Sequence, residues 1–291
     1  MTKKFNLYQA IIYFCVVLFT ALCLGPMLLT VIVSISDETS IQRNGYSFFP
    51  EKFSLYAYKV IFNGGALVKN AYVISIAVTV IGTVIAVMIT AMAAYALANK
   101  NVRYRNGLAL FFFITMVFSA GIVPWYLVCR NLNLVNNIFA LIIPSLMFSP
   151  FNLFLVKNFM EGIPDALRES ATIDGASDIK IAFKIYFPLC VPVLATISLF
   201  YGLAYWNDWF NSIMLVDNQN LYPLQYLLLR LQSEISMINK FQGAIGQGEA
   251  APPTESIKMA TAIITIGPIV LLYPFLQKYF VKGLIIGSVK G

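Results

Sequence analysis

The chain has 291 residues, of which 59% are hydrophobic and only 11% are charged, whereas an average soluble domain carries about 25% charged residues. This composition excludes an ordinary soluble protein and indicates a chain embedded in a lipid bilayer. The formal net charge of +7 does not require a nucleic-acid partner, because basic residues at the inner rim of a membrane protein face anionic lipid.

Six apolar runs are long enough to cross a membrane, since a spanning helix needs about 20 apolar residues. They cover residues 9–35, 71–97, 107–129, 136–157, 188–215 and 258–281. We therefore predict an all-α, polytopic membrane protein with six transmembrane helices in one membrane domain over residues 1–291. The first run lacks a following small-residue cleavage pattern, so it is predicted to be retained as a signal anchor.

The basic residues indicate which side each loop occupies, because cytoplasmic loops collect Lys and Arg. With the N-terminus inside, twelve of the 20 basic residues and five of the 13 acidic residues fall inside, which leaves +7 on the inner segments and no net charge outside. We expect both termini to be cytoplasmic. The inner loop of interest is then 158–187, and the long outer loops are 36–70 and 216–257.

Glycine and proline recur inside the predicted spans, as at Gly121 with Pro124, at Pro144 and Pro150, and at Gly267-Pro268. Membrane helices tolerate such residues because neighbouring groups satisfy the freed backbone. The alternative is that they kink helices around a pathway that opens and closes. The sequence alone leaves both interpretations open.

Catalytic and metal-binding signatures are missing from the sequence. It contains no histidine, the commonest general base and metal ligand, and no G-x-x-x-x-G-K-[ST] phosphate loop. Four scattered cysteines without pairing or metal spacing are predicted to be packing residues: Cys15, Cys23, Cys129 and Cys190. We expect no catalytic residue, no metal and no cofactor in this chain, and no ATP hydrolysis by the chain alone.

The segment between the fourth and fifth apolar runs is strongly charged, with Arg168, Glu169, Asp174, Asp178, Lys180 and Lys184. Burying each charge at mid-bilayer would cost about 2.5–3.5 kcal/mol, so the segment must lie in water. Pro164 suits the first position of a helix, Gly175 suits a left-handed C-terminal turn, and Ser177 suits the cap of a second helix. The pattern predicts a helix, a sharp turn and a helix that runs to Pro188.

The first of these helices carries small or apolar residues on one side: Ala166, Ser170, Ala171 and Ile173. Such a surface lets another protein's backbone approach closely, while Glu169 and Asp174 at its edges can meet basic residues. A solvated connector would carry the same charges. The residue pattern by itself does not decide between a docking surface and a connector.

The segment resembles the loop of inner-membrane permeases of ABC importers, whose pattern is E-A-A, three residues, Gly, nine residues, Ile, one residue, Leu-Pro. The matching residues here are Glu169-Ser170-Ala171, Gly175, Ile185 and Phe187-Pro188. Every spacing is kept, and Ser170 and Phe187 depart from the pattern while keeping its small or apolar character. The likeness to the carbohydrate-import branch extends over nearly the whole chain, through "FFPEKFSLYAY", "ATIDGAS" and "YPFLQKYFVKGLIIGSVKG".

This resemblance implies a type I ABC importer permease fold and a transport subunit rather than an enzyme. The loop would be a coupling helix that docks on a separate ATPase through Glu169, Ser170, Ala171, Asp174, Gly175 and Ala176. The implied partners are a second homologous permease, a dimer of ATPase subunits that binds ATP and Mg²⁺, and an extracellular or periplasmic sugar-binding protein. The complex would import oligosaccharides across the bacterial cytoplasmic membrane, and the tail Gly287–Gly291 would reach toward the ATPase pair.

The most polar part of any predicted span is "YWNDWFN", in the fifth run. Because aromatic faces stack on sugar rings and Asn and Asp bind hydroxyl groups, the candidates for a carbohydrate path are Tyr205, Trp206, Asn207, Asp208 and Asn211. An interfacial aromatic belt is the alternative, and it suits Trp209 and Phe210. As the sole acidic residue in a predicted span, Asp208 should face a cavity, a partner or the outer rim.

Two other classes of function compete with a transport subunit. An ion-coupled secondary transporter of small polar solutes would share broken helices and a midplane site, but it would need ionisable residues deep in the membrane, where only Asp208 is available. A membrane-bound enzyme would need a convergent catalytic set, which the sequence lacks.

Overall fold

The computed structural model describes residues 7–63, 66–144, 146–245 and 255–270. Within these ranges the chain is helical, and extended pairing is limited to an isolated antiparallel bridge between Ser36 and Phe53. The predicted all-α class is therefore confirmed. The tail Gly287–Gly291 and residues 271–281 of the sixth predicted span lie outside the described residues.

The described ranges consist of a succession of helices. In chain order they are α1 (Leu7–Ser34), α2 (Glu38–Asn44), α3 (Tyr56–Asn63), α4 (Ala66–Ala98), α5 (Arg105–Val117), α6 (Ile122–Asn131), α7 (Phe139–Ile142), α8 (Pro150–Glu161), α9 (Asp165–Ile173), α10 (Asp178–Ile181), α11 (Phe187–Leu189), α12 (Val191–Trp206), α13 (Phe210–Leu215), α14 (Leu224–Ile245) and α15 (residues 255–270). A π-helical turn, Ala182–Tyr186, joins α10 to α11.

Helices long and apolar enough to cross a membrane are present in the described part of the chain. Two of them, α1 and α4, qualify by themselves. Two bent pairs also qualify when each pair counts as one span: α5 with α6, bent by 117°, and the helix Asp178–Leu189 with α12, bent by 83°. The described ranges thus hold two to four candidate spans, and the count of six remains a prediction.

Several predicted runs are broken rather than continuous helices. The run 107–129 breaks between α5 and α6 at Gly121, whose φ of +85° is readily adopted only by glycine. The run 136–157 breaks between α7 and α8, and the run 188–215 breaks between α12 and α13. Pro26, in contrast, lies inside the uninterrupted α1. Pro26 is thus tolerated within a helix while other positions mark breaks, and a pathway that opens and closes around these breaks stays a prediction.

The chain divides into two compact units, of which the first comprises residues 1–68 and 228–268. In this unit Glu38 of α2 binds the first turn of α15. Its carboxylate accepts hydrogen bonds from the Glu255 amide at 3.0 Å and from the Ser256 amide and hydroxyl at 2.9 and 2.7 Å. A negative charge at this helix end is stabilising, because the first amides of a helix lack intrahelical partners.

Glu255 continues the same hydrogen-bonded group. Its carboxylate accepts from the Tyr46 hydroxyl and from Lys258 Nζ, the latter at 2.7 Å. These bonds favour the ionised carboxyl and hold the pKa of Glu255 below its usual value, chiefly through Lys258. The same bond to Glu255 raises the pKa of Tyr46 to about 12. The segment after α1 is thus fastened to the start of α15.

The second unit comprises residues 69–227 and 269–291, and in it α4 packs closely against α12. A Cβ atom at Gly82 would lie 2.5 Å from Cζ of Tyr205, well inside contact distance, whereas a Cβ atom at Gly202 would lie 3.6 Å from Oγ1 of Thr83. The absent side chain at Gly82 therefore lets the Tyr205 ring lie directly on α4.

Candidate functional site

The charged loop has the predicted form of helix, sharp turn and helix. The helix α9 begins after Pro164, which stands one position earlier than predicted, at the N-cap. Gly175 adopts a φ of +74°, and the Ser177 hydroxyl caps α10 by accepting a hydrogen bond from the Lys180 amide at 3.4 Å. The second helix passes through the π-helical turn and continues to Leu189 rather than ending at Pro188.

The predicted docking residues lie on an accessible surface of this loop. Glu169, Ser170, Asp174 and Gly175 are exposed, and Ala171 and Ala176 are half-buried. Two apolar side chains beside them are far more exposed than is usual for isoleucine: Ile173 at 86% and Ile179 at 70%. Exposed apolar side chains grouped within a charged segment are typical of a surface that another protein covers.

The loop is attached to the rest of the second unit by contacts with residues at the end of α4. Lys100 Nζ lies 2.6 Å from Oδ2 of Asp165 in the first turn of α9, and this contact holds the pKa of Asp165 below its usual value. Arg168, 9% exposed, donates to Asn99 Oδ1. The hydroxyl of Tyr95 lies 3.5 Å from Oδ1 of Asp178. Both helices of the loop are therefore fixed to one helix end.

The candidate substrate-path residues do not form one open site. Tyr205, Trp206 and Asn211 are buried, Asp208 is half-buried and Asn207 is exposed. Four of them make local or structural hydrogen bonds. Asn207 Nδ2 donates to Leu203 O at 2.9 Å, Tyr205 OH donates to Ile142 O at 2.8 Å, and Asn211 Nδ2 donates to Pro144 O at 3.2 Å. Asp208 Oδ1 accepts from the Asn211 amide at 3.3 Å.

At the break between α7 and α8, Tyr205 and Asn211 donate hydrogen bonds to backbone carbonyls. A third residue that hydrogen-bonds to the backbone of this break, Tyr201, was not among the residues predicted from the sequence. The hydroxyl of Tyr201 lies 2.7 Å from Thr90 Oγ1 and accepts from the Ser149 amide at 3.0 Å. Because a buried backbone group without a partner costs free energy, these side chains stabilise the break. Pro144 and Pro150, which flank it, were the signal in the sequence.

An open pocket of about 620 Å³ lies at the bend between α5 and α6. Its lining includes Ser119, Gly121, Trp125 and Phe210, and the rings of Trp125 and Phe210 lie 5.4 Å apart. The Trp125 Nε1 is buried without a hydrogen-bond partner among the described residues. Gly121 indicated this bend in the sequence. Of the "YWNDWFN" stretch, only Phe210 lines the pocket.

Metal-ligating side chains do not converge in the ranges that the structure describes, where no group of three or more His, Cys, Asp or Glu could hold an ion. Of the cysteines, Cys129 and Cys190 are buried, and Cys15 and Cys23 are exposed on α1. What the described side chains offer is an accessible, partly apolar surface on the loop and hydrogen-bonding groups beside broken helices.

Comparison with known proteins places these features in a family. The chain is 37% identical to the polygalacturonan/rhamnogalacturonan transport system permease protein YtcP of Bacillus subtilis, over 99% of this chain and 100% of that protein. It is 39% identical to the protein LplC of the same organism, over 93% of this chain and 90% of that one.

A solved structure matches the fold as well. It is the crystal structure of a bacterial ABC transporter involved in the import of the acidic polysaccharide alginate, which matches with a TM-score of 0.82 and 29% identity over 96% of this chain and 99% of that one. The model of the family described as binding-protein-dependent transport system inner membrane component matches residues 87–286. The chain therefore belongs to the family of inner-membrane components of binding-protein-dependent transport systems.

Proposed function

We propose that the chain is the permease subunit of an ATP-driven importer of oligosaccharides, in which it forms half of the translocation pathway. The loop 161–188 couples it to a separate ATPase, and the contact residues are Glu169, Ser170, Ala171, Asp174, Gly175 and Ala176. The chain itself supplies no energy source. ATP and Mg²⁺ are bound by the ATPase subunits, and closure of the ATPase pair drives alternating access.

The exposed surface of the loop is the observation that carries this proposal. Ile173 and Asp174 lie together at the end of α9, both accessible, next to the left-handed turn at Gly175. The 86% exposure of Ile173 would be unfavourable in a connector that stays in water, since leaving such a side chain in water costs about 1.5–3 kcal/mol relative to burying it. A partner that covers the loop recovers that free energy.

The proposed substrate class follows from the relatives. YtcP is named for polygalacturonan and rhamnogalacturonan, a protein of Halalkalibacterium halodurans that is 28% identical is named for arabinooligosaccharides, and the matching solved structure serves alginate import. All of these are chains of sugar units, which supports an oligosaccharide as the transported solute.

The proposed setting is the bacterial cytoplasmic membrane, with six spans and both termini in the cytoplasm. The partners are a second homologous permease, the ATPase dimer and an extracellular or periplasmic sugar-binding protein. An ion-coupled secondary transporter is not favoured, because the chain belongs to a family whose description names binding-protein-dependent transport.

Copurification tests the assembly directly. A tagged chain extracted in mild detergent is expected to bring down an ATPase and a second permease. The same chain with Ile173→Asp should keep the second permease and lose most of the ATPase, because a charge replaces the apolar side chain at the contact. Recovery of neither partner with the unaltered chain would sink the proposal.

Asp208 and Trp206 provide the test of the substrate path, since replacing Tyr205 or Asn211 would also release the carbonyls of Ile142 and Pro144 at the break between α7 and α8. We expect Asp208→Ala to lower oligosaccharide uptake into proteoliposomes by about tenfold, the equivalent of one lost hydrogen bond to a charged group. Trp206→Ala should lower uptake as well, because it removes an aromatic face that can stack on a sugar ring. Copurification of the ATPase should be unchanged. Asp217→Ala, which removes an exposed acid, is the matched control. Normal uptake in both variants would remove this stretch from the path.

A further inference from the structure

Arg168 occupies an unusual place in the loop. It is 9% exposed, while its neighbours Leu167 and Glu169 are both exposed. Arginine is rarely buried unless it is paired, and here the guanidinium Nη1 donates to Asn99 Oδ1. A charged side chain on a docking helix thus points into the protein rather than toward the solvent.

The acceptor is itself rigidly placed. Asn99 follows the last residue of α4, and its amide donates to Tyr95 O at 3.1 Å. Its side-chain oxygen also accepts from the Asn101 amide at 3.0 Å. One oxygen atom therefore fixes the chain where it leaves α4 and receives the guanidinium of Arg168.

A buried aromatic pair joins the same two elements. The rings of Tyr95 from α4 and Tyr186 from the loop meet edge to face, with centroids 5.0 Å apart, and both side chains are buried. Hydrogen bonds are stronger where water is excluded, so the bond between Arg168 and Asn99 is the firm link at this junction. The ion pair of Lys100 with Asp165 is exposed, with side chains 64% and 42% accessible.

We propose that Arg168 is a positioning residue for energy coupling, which makes the docking loop and the end of α4 move as one body. When the ATPase displaces α9, the bond between Arg168 and Asn99 transmits the movement to α4, so the loop does not simply bend. This inference rests on the proposed function and adds to it the residue that transmits the movement. The docking surface itself does not include Arg168.

The test measures the number of ATP molecules hydrolysed per oligosaccharide imported, in proteoliposomes that contain the complete complex with its ATPase and sugar-binding protein. For Arg168→Leu we expect the ATPase to copurify in wild-type amounts and the ratio to rise about tenfold, as expected when one hydrogen bond to a charged group is lost. Arg168→Lys keeps the donor and the charge and should restore most of the coupling. A purely structural role would lower the yield of complex without changing this ratio.

Two further variants decide the outcome if Arg168→Leu does not assemble. Asn99→Ala removes the acceptor and leaves the arginine in place, so it should raise the ratio as well. Lys100→Ala breaks the exposed pair at the same junction and should leave the ratio near wild type, because exposed ion pairs contribute little. A wild-type ratio in Asn99→Ala would overturn the inference while leaving the proposed function intact. Failure of the unaltered chain to bind an ATPase would instead refute the proposed function.

Discussion

Replacing Gly175 with valine is expected to lower ATP-driven uptake about tenfold or more. Gly175 has a φ of +74°, and a β-branched residue in this region is strained by about 1–3 kcal/mol. The turn would relax toward negative φ, which would change the angle between α9 and α10 and misplace the docking residues on both sides. Uptake and ATP hydrolysis in proteoliposomes measure the effect, and we expect uptake to fall more than hydrolysis.

The variant Gly175→Asn distinguishes two causes of lost uptake, backbone strain at the turn and the absence of a small residue at the contact. Asn tolerates positive φ far better than valine, so Gly175→Asn should retain most of the uptake. Among the described residues other than its chain neighbours, no atom lies within 4 Å of where a Cβ at Gly175 would stand, so a side chain there meets no clash with that part of the protein. Equal loss in both variants would show that the ATPase contact, rather than the turn, excludes a side chain here.

Replacing Gly82 with alanine is expected to destabilise the second unit by about 1–3 kcal/mol, the usual cost of overpacking. The new Cβ would lie 2.5–2.7 Å from three atoms of the Tyr205 ring, so the ring must move. Because the Tyr205 hydroxyl holds Ile142 O at 2.8 Å, the movement would break that bond and leave a backbone carbonyl unsatisfied. Thermal unfolding of the detergent-purified complex measures the loss.

A double-mutant cycle shows whether the loss passes through this hydrogen bond. If the shift of Tyr205 costs the bond, Gly82→Ala and Tyr205→Phe should be less than additive when combined. Gly202→Ala is the matched control, since its Cβ would stand 3.6 Å from Thr83 Oγ1, an ordinary contact distance. Loss of stability in Gly202→Ala as large as in Gly82→Ala would contradict the special role of Tyr205.

The local form of the loop followed from short-range chemistry. Gly175 and Ser177 each have a conformational preference that acts over a few residues, namely positive φ and helix capping, and both preferences are realised. The permease loop pattern from Glu169 to Pro188 depends only on residue types and their spacing, so it could be matched without a structure. The anchoring of Arg168 to Asn99 joins residues far apart in sequence, so no local signal predicted it.

The broken helices were harder to predict because proline and glycine do not break every membrane helix. Pro26 leaves α1 continuous, whereas Pro144 and Pro150 flank a true break. The difference lies in hydrogen-bond partners: Tyr201 accepts from the Ser149 amide, and Tyr205 and Asn211 donate to the carbonyls of Ile142 and Pro144, respectively. These partners come from 50 to 70 residues further along the chain, so no local signal linked them to the break, and Tyr205 and Asn211 also remain candidates for the sugar path.

The capping of α15 by Glu38 has a consequence for biosynthesis. The two partners are separated by 217 and 218 positions in the sequence, so Glu38 leaves the ribosome long before the amides of Glu255 and Ser256 exist. Contacts with so large a sequence separation form late, because the intervening chain must first be made and placed. A nascent chain that stops before α15 therefore lacks the amides that bind the Glu38 carboxylate in the finished protein.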